Sequence, residues 1–168
     1  MEASKVLDDM RKLFGAGQIG SDGPTRTTYG ADLWPRAQIW KQGGEFSRYR
    51  GACVVWPESR MDVERAVAWC HDERVPLVPV AGGSGVCGGA VPLEGGVQLD
   101  LKRMRGLLEV DREQMEIEVE PGINGLLLEE RLQRLGLTLG HYPSSIACST
   151  AGGWVATRSA GQYSSRYG

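Results

Sequence analysis

The sequence predicts an α+β fold with one small parallel unit and one antiparallel sheet. A strand–helix–strand pattern covers residues 52–80, alternating strands follow over residues 97–120, and a second amphipathic helix covers residues 124–135. A strand–helix–strand unit places its two strands parallel in one sheet, whereas strands joined by a short turn pair in antiparallel fashion.

The N-terminal part, residues 1–47, is predicted to form one amphipathic helix followed by an irregular arm. Residues 4–14 carry apolar side chains at helical spacing, and Ser4 is positioned to cap the helix. The predicted apolar face of this helix consists of Val6, Met10, Leu13 and Phe14. Residues 15–47 show no periodicity, which favours irregular packing over the core.

The parallel unit is predicted to consist of a strand over residues 52–56, a helix over 59–74 and a strand over 76–80. Ser59 and Asp62 form a capping-box-like pattern at the start of the helix. The predicted buried face of the helix is Val63, Ala66, Val67 and Cys70. Both strands are apolar, which predicts that the sheet buries them.

Strands of the predicted antiparallel sheet cover residues 97–101, 107–110 and 115–120, with a turn at 111–114. The last strand alternates strictly, so one face should pack inward and the other should face water. The apolar face is Met115, Ile117 and Val119, and the solvated face is Glu116, Glu118 and Glu120. The helix over residues 124–135 is predicted to bury Leu128, Leu132 and Leu135.

Composition and charge exclude several classes of function. The 168-residue chain has a formal net charge of −2, which argues against nucleic-acid binding through a basic face. The N-terminus lacks the apolar core of a signal peptide, and no stretch is long and apolar enough to span a membrane. Four cysteines without a CxxC pair and two histidines indicate a reduced, cytoplasmic protein without a metal site.

The densest glycine run, residues 82–89, follows the second strand of the parallel unit and is called the glycine loop below. It contains five glycines in the order GGSGVCGG, including a GxGxxG match. No helix can open here because Pro92 and Gly95–Gly96 follow, so a dinucleotide-binding βαβ motif is excluded and Asp100 is predicted to face solvent. The loop is predicted to offer backbone N–H groups and the Ser84 hydroxyl to an anion, the alternative being a flexible turn.

A second unusual stretch is the small-residue segment, residues 144–168, in which 16 of 25 residues are Gly, Ala, Ser or Thr. A disordered linker would have this composition. Large apolar residues recur through the segment, however, and favour a backbone held closely around a large, flat, polar ligand. These predicted anchors are Ile146, Trp154, Val155, Tyr163 and Tyr167.

Four motifs together resemble the FAD-binding domain of the vanillyl-alcohol oxidase family, also called the p-cresol methylhydroxylase (PCMH) type. They are PVAGGSGVCGG, VEPGINGLLLEERLQRLGLTLGHYPSS, CSTAGGWVATRSAG and the terminal RYG. The sequence is similar to the branch of D-lactate and glycolate dehydrogenases and alkyldihydroxyacetonephosphate synthase. The resemblance covers residues 48–168 and implies a small parallel α/β subdomain, an antiparallel subdomain and FAD between them. It also implies that the domain is incomplete at its C-terminus and that the cap domain is missing.

The resemblance implies a role for each of these stretches. The FAD pyrophosphate would be held by Pro79, Val80, Ala81, Gly82, Gly83, Ser84 and Gly85. The flavin ring and the phosphate chain would lie beside Ser144, Ser145, Ile146, Ala147, Cys148, Ser149 and Thr150. The same cleft would be lined by Gly152, Gly153, Thr157, Arg158, Ser159 and Ala160. No catalytic residue is assigned, because in this family most of them lie on the cap.

Some relatives join the flavin covalently to a His in the glycine loop. This loop has Cys87 near that point and no His, so FAD is expected to bind non-covalently, and Cys87 is interpreted as a small packing residue. His141 is either close to the flavin ring or a packing residue. Arg158 is either a ligand for a phosphate or carboxylate or a surface residue.

The resemblance therefore implies the FAD-binding portion of an FAD-linked oxidoreductase, a dehydrogenase of small 2-hydroxy acids such as D-lactate or glycolate. Two alternatives stay open: a flavin-dependent transferase of the alkyldihydroxyacetonephosphate synthase type in ether-lipid synthesis, and a truncated, non-catalytic fragment. The expected partner is a small organic acid, with no nucleic acid. A homodimer or an electron-accepting partner is compatible with the sequence.

Overall fold

The structure, a computed structural model, describes residues 1–45 and 49–167. Its chain divides into two compact units, Met1–Leu101 and Lys102–Gly168, each with its own sheet and buried apolar cluster. The predicted domain boundary between residues 47 and 48 lies outside the described residues and stays a prediction. No helix of the described residues is both long and apolar enough to cross a membrane.

The first unit is built on a four-stranded sheet flanked by helices. Its elements are α1 (Ala3–Leu13), β1 (Ile19–Gly20), α2 (Gly23–Thr28), α3 (Pro35–Gln42), β2 (Cys53–Val55), α4 (Arg60–Asp72), β3 (Leu77–Val80) and β4 (Val97–Asp100). The strand order is β1–β2–β4–β3, with Gln98 paired to Val54 on one side and to Val78 on the other. β2 and β3 run parallel to β4, whereas β1 is antiparallel to β2. The predicted parallel strand–helix–strand unit is confirmed, with β4 inserted between its two strands.

The central strand β4 is buried at all four positions. Its alternating sequence predicts an antiparallel strand with a solvated face, and this prediction is wrong because the polar side chains find partners inside the protein. Asp100 is 1% exposed and accepts hydrogen bonds from the Tyr29 hydroxyl and from Trp56 Nε1. Gln98 Nε2 donates to the carbonyls of Tyr29 at 2.7 Å and Ala90 at 3.3 Å.

Helices α1 and α4 supply much of the apolar core of the first unit. The buried positions of these two helices include Val6, Met10, Ala66 and Cys70, as predicted. Val67 departs from its predicted face and is 46% exposed. The predicted capping box of α4 is confirmed, since Ser59 Oγ accepts from the Asp62 amide and the Ser59 amide donates to Asp62 Oδ2. At α1 the N-cap is Glu2, and Ser4 lies inside the first turn.

Residues 15–45 are more regular than the predicted irregular arm, since they form β1, α2 and α3. Asp22 caps α2 by accepting a hydrogen bond from the Thr25 amide at 2.9 Å, and Pro35 is the first residue of α3. These helices have six and eight residues, too few for a helical periodicity to show in the sequence.

The second unit contains a two-stranded antiparallel sheet and helices packed against it. Its elements are β5 (Leu107–Asp111), β6 (Glu116–Val119), α5 (Gly125–Arg134), α6 (Ala151–Thr157) and α7 (Ser164–Tyr167). The predicted hairpin is confirmed, because Asp111 pairs with Glu116 across the turn. The buried cluster of this unit consists of Ile123, Leu128, Leu132, Ala151 and Trp154.

Three predicted side-chain orientations in the second unit are wrong. Met115 lies in the turn before β6 with φ +55° and is 73% exposed. Leu135 follows the last residue of α5 and is 41% exposed. Glu120 does not belong to the solvated face, because its carboxylate accepts a hydrogen bond from the Gly106 amide at 2.6 Å.

We expect Leu128→Ala to lower the free energy of unfolding by about 2–5 kcal/mol, because it removes a fully buried side chain. Leu135→Ala is the matched control and should change stability by less than about 0.5 kcal/mol, since its side chain is half exposed. Urea denaturation followed by circular dichroism measures both variants. Equal losses would contradict the burial assigned to α5.

Candidate functional site

The glycine loop begins at the carboxyl end of β3 and is mostly exposed. Within the described residues, no backbone N–H group of residues 82–89 donates a hydrogen bond to another protein group. Gly83 has a φ of +63°, and a Cβ added there would meet no atom within 4 Å, so the backbone angle alone favours glycine. Unpaired amides in such a loop form a concave site for an anion, and ligands of parallel sheets bind beyond the carboxyl ends of the strands.

The predicted contacts of residues 79–85 are not equally accessible. Pro79 lies exposed on β3, whereas the Val80 side chain is 8% exposed and is directed into the protein. Ala81, Gly83 and Ser84 are half-buried, and their backbone lies on the loop. A ligand can therefore reach Val80 through its backbone but not through its side chain.

Residues 144–150 form a compact turn in the second unit. The Ser149 amide donates to the Ser145 carbonyl at 2.8 Å, and Thr150 forms an isolated antiparallel bridge with Asn124. Ser149 and Thr150 are buried. The exposed residues of this turn are Ser144, Ala147 and Cys148.

Asn124 fixes this turn from the start of α5. Its Oδ1 caps the helix by accepting hydrogen bonds from the amides of Leu126 at 3.0 Å and Leu127 at 3.2 Å. Its Nδ2 donates to the Ala147 carbonyl at 2.9 Å. One side chain thus begins a helix and holds the small-residue segment. The sequence Asn-Gly before an apolar run indicates the start of the helix, but it does not indicate the hydrogen bond from Asn124 Nδ2 to the Ala147 carbonyl.

Residues 151–157 form helix α6, a helix that the sequence does not predict. The first amides of the helix already have partners, since Ala151 donates to the Ile123 carbonyl at 3.1 Å and Gly152 to the Pro121 carbonyl at 2.9 Å. A Cβ on Gly152 would lie 2.6 Å from Pro121 Cβ. Packing against Pro121 is therefore sufficient to require a glycine at position 152.

Trp154 is the most deeply buried of the five predicted anchors. Its Nε1 donates to Ser149 Oγ at 2.7 Å, and a Cβ on Gly125 would clash with its ring. Ile146 packs partly against the same cluster. The remaining predicted anchors are exposed: Val155, Tyr163 and Tyr167.

Arg158 and His141 differ in how they are held near the end of α6. Arg158 caps the helix with φ +50°, a conformation that costs a non-glycine residue about 1–2 kcal/mol. Its exposed guanidinium makes no hydrogen bond or ion pair with the described residues. His141 Nε2 lies 2.9 Å from Ser159 Oγ, and its ring contacts that of Trp154 with centroids 4.7 Å apart. Packing therefore holds His141, whereas Arg158 is available to an anion.

The four cysteines are free, two of them buried and two exposed. Burial raises the pKa of Cys53 to about 12 and that of Cys70 to about 11. Cys87 in the glycine loop and Cys148 in the turn of residues 144–150 are exposed. The interpretation of Cys87 as a packing residue is therefore wrong.

The predicted site residues fall in both units, residues 79–85 in the first and residues 144–160 in the second. Three residues outside the predicted set support them. Asn124 holds the turn, and Asp32 and Trp34 lie against the glycine loop. The last two belong to the part predicted to be irregular, where no periodicity of the sequence points to them.

Residues 51–168 match a protein-family model described as an FAD binding domain. The match includes the glycine loop and the small-residue segment. The chain belongs to the FAD binding domain family. The predicted cofactor, FAD, is thereby confirmed, whereas the residues that contact it stay a prediction.

Relatives of two enzyme types are similar to this FAD binding domain. The chain is 41% identical to alkyldihydroxyacetonephosphate synthase of Dictyostelium discoideum over 118 residues, which are 68% of this chain and 19% of that protein. It is 29% identical to glycolate oxidase subunit GlcD of Bacillus subtilis over 168 residues, which are 100% of this chain and 34% of that protein. The chain thus spans about a fifth to a third of the length of these relatives.

A solved structure of alkyldihydroxyacetonephosphate synthase matches the fold with a TM-score of 0.90 at 34% identity, covering 100% of this chain and 34% of that chain. The predicted α+β fold of PCMH-type FAD-binding domains is confirmed by this match. The family match confirms the predicted FAD-binding domain. Because the chain spans about a third or less of these relatives, the enzyme activity of the whole protein stays a prediction.

We expect two of the four thiols to react in the folded, FAD-free protein. N-ethylmaleimide should label Cys87 and Cys148, whereas Cys53 and Cys70 should not react, because burial and their raised pKa leave almost no accessible thiolate near neutral pH. Peptide mass spectrometry locates the label, and denatured protein, in which all four react, is the control. Rapid labelling of Cys53 in folded protein would contradict the assigned core.

Proposed function

We propose that the chain binds FAD non-covalently and serves a flavin-dependent dehydrogenase of small 2-hydroxy acids. The observation that carries the proposal is the set of unpaired N–H groups in the glycine loop at the end of β3. Membership of the FAD binding domain family supports FAD as the ligand of this loop. Similarity to glycolate oxidase subunit GlcD along the whole chain supports the class of acid.

In this proposal the glycine loop binds the diphosphate of FAD. The loop amides supply hydrogen-bond donors without a positively charged side chain, and Ser84 adds a hydroxyl. Gly82 and Gly83 lack side chains, so phosphate oxygens can approach the backbone closely. The loop contains no His, which supports non-covalent attachment.

In the second unit, the exposed atoms of residues 144–150 are the proposed contacts for the flavin side of the cofactor. Asn124 and Trp154 hold this turn from two directions, so little conformational entropy is lost when a ligand binds to it. FAD supplies the hydride-accepting chemistry when it is bound, and the residues of the chain bind and orient it.

Arg158 is the proposed contact for a second anionic group. Its guanidinium is exposed and can bind a carboxylate or a phosphate through paired hydrogen bonds. Its left-handed backbone conformation at the end of α6 is the kind of strain that occurs at ligand sites. A substrate carboxylate is the ligand that a 2-hydroxy acid would offer.

The second candidate function is a flavin-dependent transferase similar to alkyldihydroxyacetonephosphate synthase. It is favoured by the 41% identity over 118 residues and by the TM-score of 0.90. An acylated dihydroxyacetone phosphate would offer Arg158 a phosphate in place of a carboxylate. Both candidates need FAD, so the cofactor contacts proposed above apply to either.

We also propose a cytoplasmic location and a small organic acid as substrate. The four free cysteines are those expected in a reducing compartment. Fractionation of cells followed by immunoblotting tests the location. A homodimer and an electron-accepting partner both stay predictions. Size-exclusion chromatography with light scattering tests for the homodimer.

We expect Gly83→Asp to weaken FAD binding by about tenfold or more, because it places a carboxylate where the diphosphate must lie. Titration of FAD-free protein with FAD, followed by flavin fluorescence, measures the affinity. Gly44→Asp adds the same charge in the first unit at another glycine with a positive φ, where a Cβ also meets no atom within 4 Å, and it is the matched control.

Equal affinity of Gly83→Asp and wild type would show that the loop is not the phosphate site. Acid precipitation of the FAD-loaded protein checks the mode of attachment in the same preparation. Flavin should appear in the supernatant, and flavin retained in the washed pellet would contradict non-covalent binding.

We expect D-lactate or glycolate, added without oxygen, to bleach the visible absorbance of FAD-loaded protein that is extended to include a cap domain, because a 2-hydroxy acid gives up a hydride to oxidised flavin. An acylated dihydroxyacetone phosphate is the matched test compound. Turnover of that compound, without bleaching by any member of a panel of 2-hydroxy acids, would contradict the first candidate and support the second.

A further inference from the structure

Three consecutive residues of the first unit, Asp32, Leu33 and Trp34, hold the glycine loop and are called the 32–34 clamp. The Leu33 amide donates to the Gly85 carbonyl at 3.0 Å. Trp34 packs so closely beneath Gly88 that a Cβ there would lie 2.7 Å from Trp34 Cε3. The clamp thus fixes the loop at two points, one on each side of the exposed Cys87 region.

Asp32 is the member of the clamp that the fold alone does not explain. The residue is 3% exposed, and its Oδ1 accepts a hydrogen bond from the Trp34 amide at 2.9 Å. Its Oδ2 is buried and has no hydrogen-bond partner among the described residues. A Cβ added to Gly85 would lie 3.6 Å from this oxygen. A buried carboxylate oxygen without a partner is costly, and the loop residue next to this oxygen is Gly85, whose amide donates to no protein group among the described residues.

Helix α3 keeps the clamp in place from behind. Gln38 Nε2 donates to the Asp32 carbonyl at 2.6 Å. The Trp34 ring contacts that of Trp40 with centroids 5.5 Å apart, and the Arg36 guanidinium lies 5.2 Å from the Trp40 centroid. Because α3 lies before residue 51, the clamp belongs to a part of the chain outside the match to the family model.

We propose that the 32–34 clamp positions the glycine loop for the FAD diphosphate, with Asp32 Oδ2 as the acceptor for a loop amide in the cofactor-bound protein. The proposal rests on the proposed function, because it takes the glycine loop as the phosphate site. Asp32 and Trp34 are positioning residues, since they contact the loop and not the ligand.

Asp32→Asn distinguishes this acceptor role from a simple effect of charge. The variant is isosteric and keeps an oxygen for the Trp34 amide, but it replaces the free acceptor with an NH₂ donor. An acceptor role predicts FAD binding weaker by about fivefold to tenfold, the effect of one hydrogen bond. A charge effect alone predicts tighter binding, because a negative charge near the diphosphate is lost. Asp8→Asn, on the exposed surface of α1, is the charge-matched control.

Cys87 provides a readout of loop position that does not involve FAD. In FAD-free protein, N-ethylmaleimide should label Cys87 several-fold faster in Asp32→Asn and Trp34→Ala than in wild type, because the loop that carries this exposed thiol is less restrained, and Trp34→Phe should return the labelling rate towards the wild-type value. Cys148 is the internal control and should react at an unchanged rate. Continued protection of Cys53 and Cys70 shows that each variant is folded.

Faster Cys87 labelling together with weaker FAD binding is the expected result. Unchanged labelling and unchanged affinity in the clamp variants, together with weakened FAD binding by Gly83→Asp, would overturn the proposal and leave the proposed function intact. Normal FAD affinity in Gly83→Asp and the clamp variants alike would contradict the proposed function, and the proposal with it. Tighter FAD binding by Asp32→Asn would overturn the acceptor role.

Discussion

The hydrogen bonds of two buried polar side chains in β4 determine how the first unit is arranged around its sheet. Gln98 joins the carbonyls of Tyr29 and Ala90, and Asp100 binds the Tyr29 hydroxyl and the Trp56 indole. Leaving such a buried group unpaired would cost about 1–3 kcal/mol, so the N-terminal segment and the end of the glycine loop are both held to the central strand. The 32–34 clamp begins three residues after Tyr29, so these bonds help to place it beside the loop.

In the second unit, single side chains likewise hold two segments of the chain together. Asn124 caps α5 and binds the Ala147 carbonyl, while Trp154 fills the space that Gly125 leaves open and donates to Ser149. The start of α5 and the turn of residues 144–150 are thereby fixed together. A turn whose own side chains are small obtains its rigidity from the helix beside it, which explains how a segment with the composition of a linker is ordered.

Strong local patterns in the sequence were sufficient to predict much of the fold. The apolar runs of β2 and β3, the capping box at Ser59 and the alternation of β6 each reflect physics that acts within a few residues. The burial of Asp100 and the two roles of Asn124 depend on partners far away in the chain, which a single sequence does not reveal. The sequence does not predict helix α6. Gly152 is required there for packing against Pro121, but a glycine at this position is equally compatible with a backbone that faces a ligand. The glycine loop was predicted as an anion site because dense glycine has few other physical explanations.

A site made of backbone amides places few demands on side-chain identity, and this explains how the chain matches relatives of two reaction types. An amide donor is the same whichever residue carries it, provided that the loop keeps its conformation. What must be preserved is the conformation, and in this chain it depends on glycines with positive φ and on contacts from Leu33 and Trp34. Cofactor affinity and choice of substrate are therefore separable properties. Under the proposed function, the support of the loop sets the cofactor affinity, whereas Arg158 would contact the anionic group of the substrate, and its charge suits a carboxylate and a phosphate alike.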